Sequence, residues 1–230
     1  NSLIIDVGSN AGVLLAGFKS KGMKVLGIEP SSNVAKIAIK NNIDTWIDFF
    51  SNKLTKKILD EHGKVSVITG TNVFAHIDNL EDFMLTSDIL LLEDGIIVIE
   101  APYLLHLINK LEYDTIYHEH LSYLSVKPIV NFCKQFNFEL FDIEEQVIHG
   151  GTLRYFIGRK NKREISQNVL KYIKLENEQD LYSIEKLKKF AKSVENHRII
   201  LLQLLHDLKK EGKKIVALSA PAKGNTLLNY

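Results

Sequence analysis

Eight consecutive positions, Tyr113-Asp114-Thr115-Ile116-Tyr117-His118-Glu119-His120, hold two imidazoles, two carboxylates and two phenols. Histidine has the ordinary pKa closest to neutrality, so it takes up a proton and returns it. A carboxylate beside it, here Glu119, raises that pKa or orients the ring. A phenol such as Tyr117 donates to an oxyanion as it develops. The combination suits general acid–base work next to a carbonyl. Two other readings stand beside it. His-x-His resembles a zinc ligand pair, which needs a third ligand from His76, His149 or an acid; paired Cys-x-x-Cys and His-Glu-x-x-His are absent. The residues also fit a loop of hydrogen-bonded polar groups with no chemistry at all.

A second constellation opens the chain. Asp6-Val7-Gly8-Ser9-Asn10-Ala11-Gly12 follows a short apolar run, and Glu29 ends the next one, 17 residues beyond Gly12. Glycines at a strand-to-helix turn let backbone approach a ligand, and a carboxylate at the second strand end accepts ribose hydroxyl protons. A dinucleotide fingerprint needs Gly-x-Gly-x-x-Gly, but Asn10 and Val13 occupy the later glycine positions and Asp6 brings negative charge toward the phosphates. A cofactor with a ribose, a cationic amino group and no phosphate suits these residues better. S-adenosylmethionine meets that description. A turn that merely connects strand to helix is the simpler alternative.

These residues need elements to position them. Strand-like runs at 3–7, 24–29, 45–49, 65–70 and 95–100 alternate with helix-like stretches at 13–21, 31–40, 53–61 and 80–92. Such alternation implies a mostly parallel sheet with helices on both faces. Ligands of such sheets bind beyond the carboxyl ends of the strands. Gly8, Glu29, Asn72, His76 and the segment after Glu100 all map to that rim. Runs at 138–146 and 153–159, joined by His149-Gly150-Gly151, predict an antiparallel pair at the sheet edge. Residues 165–210 are rich in Lys and Glu and lack Gly and Pro, which predicts one or two helices with a solvated charged face. A further strand is expected at 214–218, leading into Ser219-Ala220-Pro221-Ala222-Lys223-Gly224. Lys223 at that helix start is placed to meet a phosphate or to lie in solvent. His62, His106, His197 and His206 read as surface or helix residues.

Composition narrows the class. The chain has 230 residues, 45% hydrophobic and 25% charged, which supports a sizeable core and excludes a disordered or disulfide-stapled protein. Twenty-nine Lys and Arg against 28 Asp and Glu leave a net charge of +1, with no pull toward nucleic acid or an anionic membrane. The single cysteine, Cys133, excludes an internal disulfide and a multi-thiolate metal site, and a cytoplasmic location is expected. Apolar runs such as 96–99 are too short to span a bilayer, and no signal peptide is visible. Both ends read as cut, since Asn1 stands almost on a strand and Tyr230 comes soon after a new loop motif.

Five stretches together resemble the sugar C-methyltransferase family, S-adenosylmethionine-dependent enzymes that methylate carbon 3 of nucleotide-linked 4-keto-deoxysugars. They are Ile5-Asp6-Val7-Gly8-Ser9-Asn10-Ala11-Gly12, Asn72-Val73-Phe74-Ala75-His76-Ile77, residues 113–123, His149-Gly150-Gly151-Thr152-Leu153-Arg154 and residues 220–230. The resemblance implies a class I methyltransferase domain at 1–160, a helical linker at 161–211 and the start of a C-terminal Rossmann-like unit at 212–230. It further implies an N-terminal zinc-binding unit outside this sequence, the one place where zinc is expected. Asp6, Gly8, Asn10, Gly12, Glu29 and Asn72 would hold S-adenosylmethionine. His120 would remove the proton alpha to a ketone with help from Glu119, while Tyr117 and His76 steady the enolate oxygen. His149 and Lys223 would contact a small-molecule nucleotide-sugar, and Arg154 would reach it or pair with an acid. An O- or N-methyltransferase acting on another small metabolite, or a noncatalytic nucleotide-binding module, shares the cofactor loop. A nicotinamide oxidoreductase agrees less well with Asn10 and Val13.

Overall fold

The computed structural model describes residues 2–148, 150–218 and 221–230. Seven strands form one sheet: β1 (Leu3–Val7), β2 (Lys24–Ile28), β3 (Thr45–Trp46), β4 (Val65–Thr71), β5 (Leu91–Pro102), β6 (Phe138–Gln146) and β7 (Thr152–Arg159). Their spatial order is β3-β2-β1-β4-β5-β7-β6. The first five strands pair in parallel, and β7 runs antiparallel to both β5 and β6. All five β1 residues are buried, as a central parallel strand covered on both faces requires. Side chains alternate across the sheet. Leu3, Ile5 and Val7 enter the main core, whereas Ile4 joins Leu15, Val25, Ala38 and Ile43 on the other face.

Helices cover both faces: α1 (Val13–Ser20), α2 (Ser32–Lys40), α3 (Thr55–His62), α4 (Leu80–Leu90), α5 (Leu104–Asn109) and α6 (Val126–Gln135), then α7 (Gln167–Glu178), α8 (Ile184–Lys210) and α9 (Ala222–Asn229). Helix α4 starts on Asn79, whose side chain accepts from the Asp82 amide, with Glu81 and Asp82 in its first turn facing the positive end of the dipole. Ser183 caps α8 in the same manner through the Lys186 amide. The α/β class, the parallel sheet and the antiparallel edge pair are as expected from the sequence.

One expectation is corrected. Residues 214–218 form no strand; Val216 and Leu218 are 75% and 98% exposed, and no strand of the sheet pairs with them. A strand is stable only when its amides and carbonyls find partners, and apolar content does not supply them. The charged stretch after residue 165 forms two largely exposed helices, as expected, with Glu176 a fully buried exception. Helices α5 and α6 lie between β5 and β6, in a stretch to which the sequence reading assigned no element. No helix among the described residues is long and apolar enough to cross a membrane.

Candidate active site

The strand order reverses between β1 and β4, so the loops leaving their carboxyl ends diverge and open a crevice. Gly8 leaves β1 with φ +66°, a conformation that side chains disfavour, and its amide donates to the Ile28 carbonyl at 2.8 Å. A Cβ at Gly8 would stand 2.7 Å from Cγ2 of Val73, so the loops after β1 and β4 approach too closely for any side chain. Gly12, at φ +76°, begins α1. Asn10 is also left-handed, with φ 51°, and its side-chain oxygen accepts from the Ala11 amide at 2.7 Å. Asn tolerates this region through such local bonds, which explains how the loop dispenses with a middle glycine.

Glu29 leaves β2 with 8% exposure. Its Oε2 accepts from the Asn10 amide at 2.9 Å and its Oε1 from the Ser31 amide at 2.8 Å. Each oxygen keeps acceptor capacity for a hydroxyl. The carboxylate borders a cavity of about 720 Å³ whose walls include Gly8, Asn10, Glu29, Asn72 and His76. That size is ordinary for a cofactor site. The cavity also takes in Phe49, Phe50, Asp78 and Asp82, which the sequence reading missed. One signal was available in the sequence: the aromatic pair Phe49-Phe50 stands at the carboxyl end of the third strand-like run, on the same rim.

Asp6 does not line this cavity. It lies beneath the loop at 4% exposure and accepts from Thr69 Oγ1 at 2.6 Å. Burial pushes its carboxyl up to about 6, with the Thr69 hydrogen bond opposing and the Glu29 charge adding to the rise. Gly12 likewise acts through the backbone by starting α1 and is not a wall of the cavity.

A second cavity of about 210 Å³ shares Asn72 and His76 with the first and continues to Thr115, Tyr117, His120 and Lys223. The His120 ring lies 4.8 Å from His76 and 4.4 Å from Tyr117, centroid to centroid. Two backbone bonds bring these segments together, because the Leu121 and Ser122 amides donate to the Ala75 carbonyl at 2.8 and 3.2 Å. His120 Nδ1 is 2.7 Å from the Thr115 carbonyl oxygen. A carbonyl only accepts, so Nδ1 carries the hydrogen and Nε2 of the neutral ring keeps its lone pair. The Tyr117 phenol is pushed above its ordinary value, first by burial and then by the Glu119 charge, so it stays protonated and able to donate.

Of the remaining expected residues that are described, Lys223 reaches a cavity and Glu119 and Arg154 do not. Glu119 is exposed and borders neither cavity. The hydrogen-bond partner of the His120 ring is the Thr115 carbonyl. Arg154, on β7, donates through Nε and Nη2 to Glu100 Oε2 at 3.0 and 2.7 Å, and through Nη1 to Glu144 at 3.2 Å. It borders neither cavity, and two acids occupy its guanidinium. Lys223 does reach the His120 cavity from the first turn of α9. His149 lies outside the described residues. Among the described residues, no group of three or more His, Cys, Asp or Glu is placed to hold a metal ion.

Residues 1–143 match the methyltransferase domain family, and residues 147–230 match the C-methyltransferase C-terminal domain. The chain belongs to the methyltransferase domain family. The chain is 28% identical to the C-methyltransferase NovU of Streptomyces niveus over 98% of its own length and 54% of that protein, so it spans about half of that relative. Solved structures share its fold. The plantazolicin methyltransferase BpumL bound to an analogue and SAH is 14% identical, with a TM-score of 0.54 over 70% of this chain and 77% of that one. A SAM-dependent methyltransferase from Anabaena variabilis is 19% identical, with a TM-score of 0.52 over 69% and 77%. The crowded backbone at Gly8, the half-satisfied Glu29 carboxylate and the 720 Å³ cavity fit S-adenosylmethionine, the cofactor expected from the sequence.

Proposed function

We propose that the chain supports methyl transfer to a carbon alpha to a ketone, with C-3 of a nucleotide-linked 4-keto-deoxysugar as the acceptor. The observation that carries this reading is the hydrogen bond of His120 Nδ1 to the Thr115 carbonyl, which leaves the Nε2 lone pair free on a ring that borders a cavity walled partly by the same residues as the cofactor crevice. A C–H bond has no electron pair to offer an electrophile. A base must first remove the proton while the adjacent carbonyl takes up the charge. His120 Nε2 accepts that proton, and the imidazolium so formed keeps its Nδ1–H on the Thr115 carbonyl. The Tyr117 phenol donates to the enolate oxygen, with His76 beside it. Lys223 supplies the positive charge that a phosphate of the acceptor requires.

The Asn10 and Ser31 amides preset the Glu29 carboxylate to accept the ribose hydroxyls of the donor, and Gly8 clears room at the backbone. When bound there, S-adenosylmethionine supplies an electrophilic methyl group. The acceptor is a small molecule, and the cytoplasm is the compartment that suits a chain with one buried thiol. The test combines the full-length protein, donor labelled in its methyl group and a 4-keto-deoxysugar nucleotide. Label in an alkali-stable C-methyl product with loss of the C-3 proton is expected. Label in an O- or N-methyl product would overturn the reading.

A further inference from the structure

His120 and Lys223 come to one cavity from segments about a hundred residues apart, and something must hold them at a working distance. The turn that carries the Thr115 carbonyl is a closed hydrogen-bonded unit. Thr115 donates to the Glu112 carbonyl through its amide at 3.2 Å and its hydroxyl at 2.8 Å, and the Ile116 amide donates to the Tyr113 carbonyl at 3.0 Å. Tyr113, 7% exposed, extends from this unit to α8, where its hydroxyl is hydrogen-bonded to His197 Nδ1 at 3.0 Å. The two rings meet edge to face at 5.6 Å. Burial pushes the Tyr113 phenol above its ordinary value, so it keeps its proton and is able to donate to His197 Nδ1.

The same turn of α8 also grips α9. Arg198 Nε donates to the Tyr230 carbonyl at 2.7 Å, and the Tyr230 hydroxyl donates to Glu195 at 3.2 Å. Tyr230 follows the last residue of the helix whose first turn presents Lys223, and its ring lies 5.7 Å from that of Tyr113. Between these groups lies a cavity of about 280 Å³, bordered by Tyr113, Phe190, Val194 and Tyr230. Close packing is therefore incomplete here, and the directional bonds define the spacing.

We propose that residues 194–198 of α8 set the separation between the His120 imidazole and the Lys223 ammonium, with His197 the positioning residue for the base, acting through Tyr113. The proposal rests on the reading of His120 given above. A displacement of even about 1 Å at a base lowers its rate substantially.

The experiment compares Tyr113→Phe, His197→Phe, His197→Gln, the double Phe variant and His120→Ala in the full-length protein. Readouts are kcat, exchange of the substrate alpha proton into deuterated water, donor affinity and the ¹⁵N signals of the His120 ring. Tyr113→Phe and His197→Phe are each expected to lower kcat and exchange about tenfold with donor affinity unchanged, and to lose the uniform Nδ1–H tautomer of His120. The double variant falls no further than either single. His197→Gln, whose amide oxygen accepts the phenol proton, recovers to within about threefold of wild type. Wild-type kcat in both Phe variants, additive losses in the double variant, or a Gln variant as slow as Phe would overturn the positioning role. Wild-type exchange in His120→Ala would instead remove the base assignment, while the ring spectrum still reports whether His197 and Tyr113 order that imidazole.

Discussion

Glu29 and Glu176 are both nearly withdrawn from solvent, and both accept from backbone amides where a helix begins, α2 for the first and α6 for the second. Their remaining partners differ. Glu176 accepts from the Val126 amide at 2.6 Å, the Lys127 amide at 3.0 Å, the Tyr103 hydroxyl at 3.0 Å and the Tyr182 hydroxyl. Four donors saturate a carboxylate, and this one clamps α7 against α6 and the end of β5. Burial and the Glu176 charge hold the Tyr103 phenol well above its ordinary range, so it remains a donor at any ordinary pH. Glu29 accepts two amides and faces a cavity instead of further protein donors. One carboxylate is complete within the fold, whereas the other is oriented by the fold and completed by a ligand.

The largest effect separating the two regions should come from Glu176→Ala, which strands two amides and two hydroxyls inside the protein. A loss of about 3–5 kcal/mol in denaturant unfolding is expected, by analogy with breaking a buried charged network. Glu29→Ala should act mainly on the ligand. Calorimetry should show S-adenosylmethionine binding weaker by about 1–3 kcal/mol, with a smaller change in unfolding. Equal effects of both variants on stability and binding would erase the distinction drawn between them.

Asp6 gives the smallest effect and sharpens the contrast, because it is a buried carboxylate with one side-chain donor. Its folded pKa of about 6 lies above the ordinary 3.8, so the folded state holds the proton more tightly than the unfolded chain. The stability it contributes is fully present below about pH 4 and is lost as pH rises through about 6. Asp6→Asn should therefore stabilise the protein by about 1–2 kcal/mol at pH 7, with the gain vanishing by pH 4. A gain that persists at low pH would exclude burial of the charge as its cause.

Much of this arrangement was legible because the signals were local. Apolar runs ending in Asp6-Val7-Gly8 and at Glu29 marked strand ends, and the carboxyl-end rule then placed Asn72 and His76 beside them. His120 stood out by residue type alone. What escaped was non-local or carried by backbone. Glu119 adjoins His120 in sequence, yet the hydrogen-bond partner of the ring is the Thr115 carbonyl, which no residue type announces. Arg154 faces Glu100 across the β5–β7 register, a pairing that only strand alignment reveals. Glu176 sits among exposed charges in sequence, and only the docking of α7 buries it. Residues 214–218 have the composition of a strand but, among the described residues, pair with no strand of the sheet.

The most direct measurement is exchange of the acceptor's alpha proton into deuterated water, followed by NMR for wild type and His120→Ala with donor affinity measured alongside. The account predicts exchange slowed by about 10²–10⁴-fold in the variant while S-adenosylmethionine still binds as in wild type. Exchange at the wild-type rate in a variant that binds the donor normally would contradict it.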